Sequence, residues 1–83
     1  MELTAMKNIG AAMQKKLNSI NVINAEDLIE LGSKEAFLRL KIKYPKICLV
    51  HLYTLQGAVD NISFNMLSQK VKEELKDFSS GLK

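Results

Sequence analysis

Apolar residues recur along this chain at helical spacing, and the intervals between them are short. Ile9, Ala12, Met13, Leu17 and Ile20 fall on one face at steps of three and four, which predicts a helix from about Gly10 to Ser19 with Gln14, Lys15 and Lys16 off the apolar stripe. A short turn from Leu3 to Met6 precedes it. Asn24 has the character of an N-cap, with Glu26 and Asp27 in the first turn where the helix dipole favours negative charge. Ile23 and Leu28 stand at the two positions of a hydrophobic staple, Leu28 and Leu31 supply the buried edge, and Gly32 suits a left-handed C-terminal cap.

Ser33 is expected to cap the next helix with almost no gap. Ala36, Phe37, Leu40 and Tyr44 make its inner face, while Lys34, Glu35, Arg39, Lys41 and Lys43 point outward. Pro45 stops that helix and suits the first turn of another, running from about Lys46 to Asp60. That segment is apolar on nearly every side, so neighbours must surround it, and it is the natural centre of the fold. Gly57 within it costs about 1 kcal/mol relative to Ala, a cost that predicts a close backbone approach there. Ser68 caps a last helix with Val71, Leu75 and Phe78 inward, and residues 79–83 are expected to fray. The whole predicts one all-α domain over residues 1–83: a small five-helix orthogonal bundle around a central apolar helix.

Composition agrees. At 83 residues, with 47% hydrophobic and 25% charged positions, the chain carries one modest core and little material for a deep cleft. No stretch is long and apolar enough to span a bilayer, the N-terminus is acidic where a signal peptide is basic, and the single cysteine, Cys48, forms no internal disulfide. A cytoplasmic location is the expectation. The net charge of +3 is compatible with an acidic partner. Arg39 is the one arginine among 12 basic residues, which argues against dense reading of base edges.

Candidate chemistry is sparse. His51 is the lone histidine and lies three positions from Cys48 on the most apolar helix. A small buried thiol beside a packed imidazole is the favoured reading, and neither a catalytic trio nor a metal site is expected. The segment with functional content is Leu3-x-x-Met6-Lys7-Asn8-Ile9-Gly10-x-x-Met13-x-x-x-Leu17. Two short elements joined tightly, with Ile-Gly opening the second, follow the helix-hairpin-helix pattern, also found in SAM-like bundles. Amides of Ile9, Gly10 and Ala11 would emerge unpaired at a positive helix N-terminus and hold a phosphate. Lys7, Lys15 and Lys16 would add charge, and Asn8 replaces the usual first glycine of the hairpin. The same corner also serves simply to pack two helices. Arg39, Lys41, Lys43 and Lys46 form a second basic group with no acid among them. A solvated surface is its default reading, and it extends the first patch only if the fold joins them.

A wider set of residues resembles the C-terminal domain of TfoX, the bacterial regulator of natural competence. The matching stretches are Leu3 to Met6, Asn8-Ile9-Gly10, Lys16-Leu17, Ala25-Glu26-Asp27-Leu28, Leu31-Gly32-Ser33-x-Glu35-Ala36-Phe37-x-Arg39-Leu40 and Cys48-Leu49-x-x-Leu52-Tyr53-x-Leu55-Gln56-Gly57-Ala58. The resemblance implies a helix-hairpin-helix-related fold, a cytoplasmic regulatory role and no catalytic residues. Full-length members carry an N-terminal α/β domain and act with the cyclic-AMP receptor protein on DNA-uptake genes. That α/β domain is not among these 83 residues, so the sequence reads as a stand-alone or isolated domain.

Two functions are therefore expected. The first is a non-enzymatic regulatory module that contacts DNA weakly and without sequence preference. The second is a docking or self-association module whose partner is a regulatory protein, with Leu38 and Ile42 as contact candidates. No cofactor, membrane or small-molecule substrate is expected in either case.

Overall fold

The computed structural model describes residues 1–81. A single 3-10 turn, Leu3–Ala5, leads into α1 (Ala11–Asn18), followed by α2 (Ala25–Leu31), α3 (Ser33–Lys43), α4 (Leu49–Asp60) and α5 (Gln69–Ser80). A second 3-10 turn, Phe64–Met66, links α4 to α5. The architecture is all-α, with no strand among the described residues beyond an isolated bridge between Glu2 and Asn24.

Leu3, Leu17, Leu28, Phe37, Leu40, Leu52, Leu55 and Leu75 are fully buried, so every helix contributes to one core. α4 packs against α3, α5 and the second 3-10 turn, the central place its apolar sequence demands. Gly57 explains how it fits there. A Cβ at this position would lie 2.5 Å from Asn8 Nδ2 and 2.8 Å from the Ile62 carbonyl oxygen. The missing side chain lets the Asn8 corner and the chain after α4 close onto the helix.

Helix ends follow local chemistry. The Asn24 side chain accepts the Asp27 N–H at 2.8 Å, and Ser68 accepts the Val71 N–H at 3.2 Å. The N-terminal ammonium donates to Glu26 at 2.7 Å, and that bond holds the Glu26 carboxyl below its ordinary value. Asn8, Asn21 and Asn61 all take positive φ at the ends of turns, so asparagine does what glycine does in most left-handed corners.

Several expectations are corrected. Gly32 is the C-cap of α2 at positive φ, as expected, but its ψ of 155 is extended rather than helical, and Gly32, not Ser33, also occupies the N-cap of α3. Ser33 is the first helical residue, buried, with its hydroxyl donating to Gln56 Oε1 on α4. Ile23 is 58% exposed while Val22 is buried, so Ile23 makes no inward staple. The Val22 N–H reaches back to the Leu17 carbonyl at 3.0 Å, which turns the valine inward. Ala12 is exposed, and the inward place in the first turn of α1 is taken by Met13, which packs against the core. α5 remains helical through Ser80, beyond the expected fraying point, and residues 82 and 83 lie outside the described residues.

Pro45 does not open α4. The Ile47 N–H bonds the Tyr44 carbonyl at 2.9 Å, giving a β-turn with Pro45 at its second position, where the fixed proline φ is favoured. α4 then starts at Leu49, with Cys48 as its N-cap.

Candidate nucleic-acid interface

The corner between the first 3-10 turn and α1 turns one side inward and leaves the other open. Asn8 is the inward side. Its Nδ2 donates to the Ile62 carbonyl at 3.0 Å and its Oδ1 accepts the Phe64 N–H at 3.3 Å, stitching the corner to the chain after α4. Ile9 is buried, and its amide bonds the Met6 carbonyl at 3.4 Å. Neither Asn8 nor Ile9 is therefore presented outward as the hairpin pattern predicts.

The open side begins one residue later. The first hydrogen bond of α1 runs from the Gln14 N–H to the Gly10 carbonyl at 3.0 Å. Among the described residues, no acceptor meets the amides of Gly10, Ala11 and Ala12, which are all exposed residues. Gly10 has φ −100 and ψ −177, an extended conformation open to any residue, and a Cβ there would meet nothing within 4 Å. The fold thus makes no steric demand for glycine at position 10, although glycine is acceptable at an N-cap. Lys15 lies exposed one turn further along, and Lys7 is exposed before the corner.

The basic residues sort into two kinds. Arg39 pairs with Glu35 at 3.1 Å and shares a groove with Asp27 and Glu30, so it is not part of a cationic patch. Lys41 donates to the Ile47 carbonyl at 2.8 Å and buttresses the Pro45 turn. Lys16, Lys43 and Lys46, by contrast, come together. With Tyr44, Pro45, Ile47 and His51 they line a cleft of about 420 Å³. The Lys16 ammonium stands 5.7 Å from the centre of the Tyr44 ring. Lys43 Nζ donates to the Ser19 carbonyl at the end of α1 at 3.2 Å. The Ser19 hydroxyl donates to the Lys16 carbonyl and lies 3.0 Å from the Tyr44 hydroxyl, which completes the junction of α1 with α3.

Cys48 is exposed, not buried as expected. Its backbone N–H donates to His51 Nδ1 at 3.1 Å, and its Sγ lies 3.4 Å from the same nitrogen. An imidazole accepting through Nδ1 carries its neutral-state proton on Nε2.

Tyr44 and His51 were not singled out as binding residues by the sequence, yet a signal for this region exists. No Asp or Glu occurs in residues 3–25 or 36–59. Seven of the 12 basic residues fall in those two runs: Lys7, Lys15, Lys16, Arg39, Lys41, Lys43 and Lys46. Packing α1 on the end of α3 brings the two acid-free runs together.

The model of the TfoX C-terminal domain matches residues 1–79. The chain belongs to the TfoX C-terminal domain family. That family is associated with competence regulation. A crystal structure of an uncharacterized protein from Listeria monocytogenes, in a triclinic form, is 35% identical with a TM-score of 0.96, covering 99% of this chain and 93% of that one. A tetragonal form of a Listeria monocytogenes protein of unknown function gives 35% identity and a TM-score of 0.95, over 99% of this chain and 100% of that one. None of the curated proteins matches. Among the described residues, no helix of this family member is long and apolar enough to cross a membrane.

Proposed function

We propose that this domain is a non-enzymatic regulatory module that contacts nucleic acid weakly and without sequence preference. The carrying observation is the union of the two acid-free runs. It joins Lys16 to Lys43 and Lys46 on the same side of α1 and α3, with α1 opening on amides that meet no acceptor among the described residues. Unpaired amides at a helix N-terminus favour a phosphate, and lysines hold the backbone as point charges without reading bases. An eight-residue helix is about 12 Å long, so its mouth and the lysine cluster at its far end are two separate footholds along one sugar-phosphate chain. The phosphate-contacting set is then Gly10, Ala11 and Ala12 with Lys7, Lys15, Lys16, Lys43 and Lys46. Arg39 and Lys41 serve the fold. The family's association with competence makes DNA the natural nucleic acid and the cytoplasm the natural place.

The test is polarisation titration of labelled duplex DNA. With three or four phosphates neutralised, affinity falls roughly a hundredfold as salt rises from about 50 to 200 mM. Gly10→Glu places a carboxylate at the mouth of α1 and is expected to abolish binding while the fold persists. A folded Gly10→Glu protein that binds like the wild type overturns the proposal.

A second reading has one observation in its favour. Ile42 is 84% exposed on α3, one turn beyond Leu38. Self-association or docking to a regulatory protein through that face predicts a mass that grows with concentration in light scattering, lost in Ile42→Lys. A concentration-independent monomer mass removes self-association.

A further inference from the structure

We infer that the cleft between α1 and the Pro45 turn is a pocket for one unpaired nucleotide, so that the domain prefers single-stranded to duplex nucleic acid. The inference rests on the nucleic-acid reading above and adds the form of the partner. Its basis is the lining. Tyr44, Pro45 and Ile47 give apolar walls that include one aromatic ring, and Lys16, Lys43 and Lys46 provide cations around them. A planar base with its phosphate is apolar at one end and anionic at the other, which is the same division. The volume of about 420 Å³ suits one such unit rather than a duplex edge. In a duplex the faces of the bases are hidden by stacking, so only an unpaired nucleotide can use the ring.

The Tyr44 ring is held ready for this role. Its hydroxyl is anchored at Ser19, and the Ile47-to-Tyr44 turn bond and the Lys41 bond to Ile47 fix the chain around it. Lys16 stands over the ring in the free protein. A lysine–ring contact at an exposed site is weaker than a base stacked on an aromatic. A base therefore displaces Lys16, and the freed ammonium turns to the adjoining phosphate. His51, whose Nδ1 is occupied by the Cys48 N–H, offers Nε2–H as a donor on the same wall. An acidic peptide would need the lysines alone and would leave the ring unused.

The experiment compares three probes at low salt by fluorescence polarisation: an oligothymidylate of about ten nucleotides, its duplex with oligodeoxyadenylate, and an oligoglutamate peptide. The single strand is expected to bind most tightly. Tyr44→Leu and Tyr44→Phe both lose the bond to Ser19, so Tyr44→Phe, which keeps the ring, is the reference: Tyr44→Leu is expected to weaken single-strand binding at least about fivefold relative to Tyr44→Phe, while the two bind duplex alike. Wild-type NMR titration guards against a variant that fails to fold. Amide shifts on adding oligothymidylate are expected to include Tyr44, Ile47 and His51 as well as the lysines, and duplex is expected to leave those three nearly still. Equal binding of single strand and duplex, with shifts alike, overturns the inference and leaves the phosphate reading standing. Oligoglutamate binding as tightly as the single strand overturns it in favour of an acidic protein. Binding of neither nucleic acid overturns both.

Discussion

Gly10 and Gly57 lie on either side of Asn8, one two residues along the chain and the other across the fold, and their surroundings are opposite. A Cβ on Gly57 would strike Asn8 Nδ2 at 2.5 Å, the Ile62 carbonyl at 2.8 Å and Phe64 Cα at 3.2 Å. A Cβ on Gly10 would meet nothing within 4 Å, and its backbone is ordinary extended chain. Glycine at position 57 is required by packing within the molecule. Glycine at position 10 has no such requirement and sits at the open mouth of α1. One corner of the chain thus has a structural side and a free side, and Asn8 divides them.

The largest effect should come from filling the closed side. Gly57→Ala gains about 1 kcal/mol of helix propensity, but two of the three atoms it meets belong to the backbone and cannot swing away. Overpacking of this kind costs typically 1–3 kcal/mol and occasionally more. With contacts this short the cost lies at the upper end or beyond, so a net loss of about 2 kcal/mol or more is expected in urea denaturation. A variant as stable as the wild type would mean that the corner yields easily, and the contrast with Gly10 would dissolve.

Next in size is Asn8. Asn8→Ala removes both bonds to the chain after α4 and leaves alanine at φ 71. The expected loss is about 2 kcal/mol, the unmet polar partners and the left-handed backbone together. Asn8→Gly accepts the backbone and loses only the bonds, so it should cost about 1 kcal/mol. Equal losses for the two would show that the positive φ carries no strain, and the stitching alone fixes the corner.

How far the sequence reveals this division depends on the range of the interaction. The N-caps at Asn24 and Ser68 are legible because each bonds an amide three residues away. The close approach at Gly57 is legible because a glycine inside an apolar helix needs a reason. The inward role of Asn8 is not, since its partners are 54 and 56 residues distant. Nor is the cleft: Lys16 meets Tyr44 only because α1 packs on the end of α3. Local rules mislead most where two neighbours compete for one position. Val22 takes the inward place assigned to Ile23, and Gly32 takes the cap assigned to Ser33. The missing acids in residues 3–25 and 36–59 are visible in the sequence, but they become meaningful only when the two runs touch.

Gly32 offers an intermediate case. It has open space around it, like Gly10, but φ 87 with ψ 155 belongs to a region essentially reserved for glycine. Gly32→Ala separates backbone strain from crowding. A loss of about 1–2 kcal/mol is expected in the same denaturation experiment, below Gly57→Ala, whose cost is steric. A neutral result would place the α2–α3 junction with the open side of the molecule.

The smallest effect on stability should come from Gly10→Ala, and it is the sharpest check on the contrast. The added methyl finds no neighbour and the backbone no strain, so only the modest N-cap preference for glycine over alanine remains, less than about 1 kcal/mol. Binding should respond differently. A methyl group at the mouth of α1 stands where a phosphate would approach the Gly10–Ala12 amides, so affinity for nucleic acid should fall severalfold while the denaturation midpoint barely moves. Gly57→Ala should reverse the pattern, losing stability while the population that remains folded binds normally. Should both variants lose stability and binding in proportion, the two sides of the Asn8 corner would be one cooperative unit, and glycine at position 10 would be serving the fold after all.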